Sequence, residues 1–215
     1  MVQQKPTYCI WDFNGTILDD VQTGILAVNH LLSQRNMPCL SGKDEYRAVF
    51  GFPIREYYER LGFDFSKEPY EVIAPLWVEQ YMYYVKQAQI FADVEAALCR
   101  LRDSGVRQLV LSATEQHMLC GQLASLGIAQ YFEEILGLDN IHAASKLALA
   151  QNWRQRYPDA SVIWLGDTDH DCHVAKEIGA ECILIARGHQ SKQYLQQLGV
   201  PVFDDLKTAL QFCLS

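Results

Sequence analysis

The apolar run Tyr8-Cys9-Ile10-Trp11 ends in a carboxylate, Asp12, and a turn-prone Phe13-Asn14-Gly15-Thr16 follows. Three other stretches put polar groups at comparable points. Ser112 ends the run Leu109-Val110-Leu111, Lys146 follows Ser145 at the start of a helical pattern, and Asp167 and Asp171 come straight after Val162-Ile163-Trp164-Leu165. Three carboxylates, an ammonium and a hydroxyl suit a divalent cation and a phosphate. Mg2+ takes a few carboxylate and carbonyl oxygens and completes its octahedron with water and phosphate oxygens. A lysine offsets the remaining phosphate charge, while a hydroxyl and turn amides donate to the phosphate oxygens. Asp12 then becomes a nucleophile for in-line attack on phosphorus, giving an aspartyl phosphate. Without the metal and Lys146 the two anions would repel one another. Asp12 is the hardest of these residues to account for otherwise, because a carboxylate ending a buried strand is costly without a partner.

The elements that would bring these groups together are legible from periodicity. Tyr8–Trp11, Gln108–Ser112, Val162–Leu165 and Cys182–Ala186 are short apolar runs of the kind that form buried parallel strands, and Val200–Phe203 is a shorter fifth. Helical patterns lie between them: Val94 to Asp103, Glu115 to Leu126, Leu147 to Tyr157, and Cys172 to Ile178, with glycines just past several ends. Alternating strands and helices predict an α/β fold with a doubly wound, Rossmann-like parallel sheet, and in such sheets ligands sit at the carboxyl ends of the strands. From about Val21 to Lys86 the alternation breaks. That stretch is rich in helix formers and aromatics and has no buried strand, so it predicts a small inserted helical domain with its own core. The expected division is a core of residues 1–18 and 90–215 and a helical cap of residues 19–89.

Composition narrows the class of partner. The 215 residues are 49% hydrophobic and 20% charged, with a net charge of −8, as expected of a soluble globular protein that binds neither nucleic acid nor an anionic membrane. Seven cysteines with no CxxC pair read as reduced core thiols. No apolar signal segment follows the first residues and no run reaches membrane-spanning length, so a cytoplasmic location is expected.

With four motifs in this order, the sequence resembles the haloacid dehalogenase superfamily, in its phosphoglycolate phosphatase-like branch with a helical cap. The motifs are Asp12-Phe13-Asn14-Gly15-Thr16, Ser112, Lys146 and Gly166-Asp167-Thr168-Asp169-His170-Asp171, and the resemblance spans essentially the whole chain. It implies Asp12 as nucleophile and metal ligand, the backbone carbonyl of Asn14 as a second ligand, and Asp167 and Asp171 as the others, Asp171 directly or through water. It implies a phosphoryl group held by Ser112, Lys146 and amides near Phe13, Asn14 and Ala113. The stretch from Phe50 to Gly62 resembles the family's cap loop, which makes Arg55 a candidate grip on the far end of a substrate; a surface arginine paired with Glu56 or Glu59 is the equal alternative. Ser112 and Ser145 have a plainer reading as helix caps, Asp19 as the cap of the first inserted helix, and Asp171 as the cap of a helix starting at Cys172. His170 and His173 form no zinc set with Cys172, and His170 reads as loop surface.

Most relatives that hydrolyse phosphate esters carry Asp where this chain has Asn14. That carboxyl protonates the departing alkoxide and then deprotonates the attacking water, and an amide does neither. Asn14 therefore leaves three expectations open: a native residue that gives a slow phosphatase, one suited to activated leaving groups, or a phosphoryl-transfer protein with a long-lived intermediate; a phosphate-binding or regulatory protein on the same fold; or an introduced change that traps an intermediate. The leading expectation is a Mg2+-dependent hydrolase of a small phosphorylated metabolite.

Overall fold

The computed structural model of the chain describes residues 7–140 and 146–214. Six parallel strands form one sheet: β1 (Tyr8–Trp11), β2 (Arg107–Glu115), β3 (Glu134–Leu138), β4 (Val162–Gly166), β5 (Glu181–Ile185) and β6 (Val202–Phe203), in the order β3-β2-β1-β4-β5-β6. The chain winds outward from β1 through β2 to β3, then returns to the other side of β1 to lay down β4, β5 and β6. The order reverses between β1 and β4, so their carboxyl ends part and leave a crevice there.

Between β1 and the core helices lie α1 (Val21–Gln34), α2 (Lys43–Val49), α3 (Ile54–Arg60) and α4 (Tyr70–Tyr84). They pack around a buried cluster of their own that includes Val28, Leu32, Tyr46, Tyr58 and Ile73. The remaining helices, α5 (Val94–Asp103), α6 (Gln116–Ser125), α7 (Leu147–Arg156), α8 (Asp169–Glu177), α9 (Lys192–Leu195) and α10 (Leu206–Cys213), cover the sheet. Successive residues of β1 serve opposite layers. Cys9 and Trp11 pack with α5, α6 and α10, whereas Tyr8 and Ile10 pack with α7 and α8. Burial on both faces is why these strands read as continuous apolar runs rather than alternating ones. Among the described residues no helix is long and apolar enough to cross a membrane.

Several sequence expectations are corrected. Edge strand β3 was not foreseen. Helix α8 begins at Asp169, not Cys172; Thr168 is its N-cap, and Asp171 closes a capping box from the third helical position. Asp19 is not the cap of α1. Asp20 holds that position, and its carboxylate makes no cap bond because it is committed elsewhere. Ser112 lies within β2 rather than at a helix end, and α6 is capped by Glu115. Ser145 lies outside the described residues.

Candidate active site

Asp12 follows β1 and Asp167 follows β4, and the pairing of these two strands sets the two carboxylates side by side. Trp11 is opposite Leu165, and the Asp12 amide donates to the Leu165 carbonyl at 2.8 Å. Asp171 joins them because the capping box folds the first turn of α8 back over the end of β4. Its Oδ2 accepts from the Thr168 amide at 3.0 Å and the Thr168 hydroxyl at 2.7 Å. The three buried carboxylates offer oxygens that all lie within 4.8 Å of one another. Lys146, at the start of α7, donates to Asp12 Oδ1 and to Asp171 Oδ1, the latter at 2.6 Å, with its ammonium 5.2 Å from the centre of the Trp164 ring. The Thr16 hydroxyl donates to Asp167 Oδ1 at 3.1 Å.

Burial and like charge make this a strained set of ions. Burial pushes Asp12 well above the usual carboxylate range; Lys146 works against that rise, and Asp171 and Asp167 add to it. Asp167 is raised to about 6, chiefly by burial, with His189 opposing and Asp171 reinforcing. Burial would strip the proton from Lys146, but Asp12 and Asp171 outweigh it and hold the ammonium above its ordinary value. Asp171 is buried too, yet Lys146 and Thr168 keep it below the usual range. One ammonium thus faces three clustered carboxylates. Such an all-oxygen donor set with surplus negative charge fits a hard divalent cation, and Asp12, Asp167 and Asp171 could hold one.

A second buried network was missed by reading the sequence. Asn14 gives one amide proton to Asp20 Oδ2 at 2.7 Å and the other to the Tyr81 hydroxyl at 2.7 Å, while its Oδ1 accepts from the Thr114 hydroxyl at 2.8 Å. Tyr81 in turn donates to Asp20 at 2.8 Å, and the Gly15 amide donates to Asp20 Oδ1 at 2.8 Å. Gly15 has φ of +73°, and a side chain there would collide with Asp167 and His189. His189 Nε2 lies 3.2 Å from Asp20, and its Nδ1 lies 2.8 Å from the Tyr46 hydroxyl of α2. Burial disfavours a charged imidazole, but Asp20 prevails and raises His189 to about 9. The same pairing, with the bonds from Asn14 and Tyr81, holds Asp20 below the usual range against its own burial. His189 could have been found by the strand-end rule used for Asp12, since it follows the apolar run of β5. Nothing in the sequence singles out Asp20 or Tyr81, because they reach the site only through the packing of α1 and α4.

These groups surround a cavity of about 140 Å³ between the strand ends and the inserted helices. Asp12, Asn14, Ser112, Ala113, Lys146 and Asp167 line its polar end. The Ser112 hydroxyl is buried and donates to the Thr114 hydroxyl at 3.1 Å, where a register shift in β2 between Leu111 and Glu115 loosens the ladder. Asp171 is reached through Lys146 and is not part of the lining. Arg55 is not part of it either. Its side chain is 55% exposed, pairs with Glu59 at 3.4 Å and sits 4.9 Å from the Phe65 ring centre, which is the surface pairing of the two readings given above. His170 is in α8 rather than on a loop surface, stacked on Phe52 at 4.4 Å, and burial lowers it to about 4.

Comparison with known proteins agrees with this architecture. The chain is 24% identical over 216 residues to the tyrosine-protein kinase PtkA of Mycobacterium tuberculosis, covering 96% of this chain and 73% of that protein. It is 24% identical over 191 residues to a phosphoglycolate phosphatase of Xanthomonas campestris pv. campestris, covering 86% and 85%. Among solved structures, PtkA superposes with a TM-score of 0.81 at 21% identity, covering 98% and 99% of the two chains. A haloacid dehalogenase-like hydrolase of Streptococcus pneumoniae gives 0.76 at 20% identity, covering 96% and 98%. The family model for haloacid dehalogenase-like hydrolases matches residues 9–185, and the chain belongs to that family.

Proposed function

We propose that the chain is a Mg2+-dependent phosphatase of a small phosphorylated metabolite, working through an aspartyl phosphate on Asp12. The observation that carries this is the position of Asp12: a buried carboxylate at the mouth of the β1/β4 crevice, tied to Lys146 and facing a cavity. Mg2+ held by Asp12, Asp167, the Asn14 carbonyl and Asp171 would act as a Lewis acid on the phosphoryl oxygens. Lys146 and Ser112, with the Ala113 amide, would bind the phosphoryl group and hold it in line with the Asp12 oxygen. That oxygen attacks phosphorus and the alkoxide or aryloxide departs; water then attacks the same phosphorus and frees Asp12. The inserted helices, residues 19–89, would act as a cap that excludes water over a core of residues 1–18 and 90–215. The relatives' names add support, one being a phosphatase and one a kinase. Both transfer a phosphoryl group.

Asn14 determines how well this runs. Its amide is saturated by Asp20, Tyr81 and Thr114, and an amide relays no protons. Attack should survive for leaving groups that need no proton, and water attack should lag.

The test is hydrolysis of 4-nitrophenyl phosphate with Mg2+ and with EDTA, beside melting curves. Mg2+ should support turnover and raise the melting temperature by mass action, and Asp167→Ala should lose both effects. Turnover undiminished by EDTA, or an equal Mg2+ shift in Asp167→Ala, would refute the metal assignment. No turnover at all would favour a protein that binds phosphate without cleaving it.

A further inference from the structure

The cavity differs sharply between its two ends. Its polar end belongs to the core, whereas the inserted segment supplies Tyr46, Phe50, Phe52, Ile54, Tyr58 and Trp77. Among the described lining residues the only cationic groups are Lys146, engaged by Asp12 and Asp171, and His189, engaged by Asp20. The cap arginines are turned elsewhere. Arg47 donates to the carbonyls of Gly188 and Arg187, and Arg60 to that of Val49. A carboxylate or second phosphate at the far end would therefore leave water for an apolar wall with no counter-ion, which is costly.

The rings that make this wall lie close together: Tyr46 packs 5.2 Å from Phe50 and 6.0 Å from Tyr57, and Phe50 lies 6.0 Å from Phe52, centre to centre. Such a wall suits another ring, which gains from offset or edge contacts beyond the area it buries.

Resting on the phosphatase reading, we propose that the substrate is a phosphate monoester whose leaving portion is uncharged, aromatic or comparably bulky and apolar. Phosphoglycolate, with its second anion, does not fit this end of the cavity, whatever some relatives hydrolyse.

The test separates recognition from leaving-group chemistry. Benzyl phosphate, ethyl phosphate and phosphoglycolate all release poorly stabilised alkoxides, so differences in kcat/KM among them report the fit of the remote group. Benzyl phosphate should exceed the other two by about ten- to hundredfold, the gain from burying an aromatic ring. The non-hydrolysable pair should follow the same order: benzylphosphonate should bind more tightly than phosphonoacetate, measured by melting shift with and without Mg2+. Ile54→Arg, which brings a cation to the wall, should reverse the order toward phosphonoacetate. If acetyl phosphate is turned over but phosphonoacetate binds as well as benzylphosphonate to the protein as it stands, this proposal fails and the phosphatase reading remains. If acetyl phosphate is not turned over either, both are overturned.

Discussion

Lys146→Ala is expected to abolish turnover and to destabilise the fold by about 3–5 kcal/mol, the usual cost of removing one partner from a buried ionic set. The ammonium lies between Asp12 and Asp171, its side chain 3% exposed, and no other cation touches either carboxylate among the described contacts. Its loss leaves two buried anions facing each other, with Asp167 close by. Urea titrations should show the midpoint falling at an unchanged slope. Saturating Mg2+ should recover part of the loss, since the metal would bring back positive charge to the same carboxylates. Arg55→Ala supplies the contrast. Its ion pair with Glu59 is about half exposed on both sides, and such pairs contribute about 0.2–0.5 kcal/mol. Equal effects of the two substitutions would mean that the buried triad carries no special charge stress.

Asn14→Asp is expected to raise kcat/KM for an alkyl phosphate such as ethyl phosphate by about 10²–10⁴-fold, or roughly 3–5 kcal/mol of barrier. The surroundings explain why a carboxyl there would be a usable acid. It would lie where the amide now meets Asp20 at 2.7 Å, and two carboxylates at that distance do not both ionise. One of them would hold a proton, with Tyr81 and Thr114 fixing the geometry. Because kcat/KM reports the steps up to formation of the aspartyl phosphate, 4-nitrophenyl phosphate should gain far less, its leaving group needing no proton. A gain as large for the aryl ester as for ethyl phosphate would place the role of position 14 elsewhere. His170, neutral and stacked on Phe52, is not positioned by this packing to take over that role.

The doubly wound sheet was legible because its central strands are buried on both faces. Runs such as Tyr8–Trp11 and Val162–Leu165 have no other good explanation. Edge strand β3 was not. Its sequence, Glu134-Ile135-Leu136-Gly137-Leu138, starts with an acid and is broken by a glycine. That glycine is required by packing, since a side chain there would strike the Thr114 carbonyl and the Gln116 backbone. The strand-end rule found Asp12, Ser112 and Asp167 for a physical reason: a polar group ending a buried run must meet either solvent or a site. Asp20, Tyr46 and Tyr81 escaped because an acid before a helix and tyrosines within helices are ordinary, and only the docking of α1, α2 and α4 on the core buries them at the site. Arg55 was open in the sequence, where its place beside the cap loop left a grip on substrate and a surface pairing equal. Here α3 turns Ile54 to the cavity and Arg55 to solvent beside Glu59.

The central claim is that Asp12 takes the phosphoryl group and, for want of an acid or base at position 14, releases it slowly. Rapid acid quench of the protein with 4-nitrophenyl phosphate and Mg2+, followed by peptide mass measurement, tests this most directly. During steady turnover the peptide containing Asp12 should carry one phosphoryl group in most molecules, and Asn14→Asp should largely clear it. Product formation with the Asp12 peptide unmodified at every quench time would contradict it.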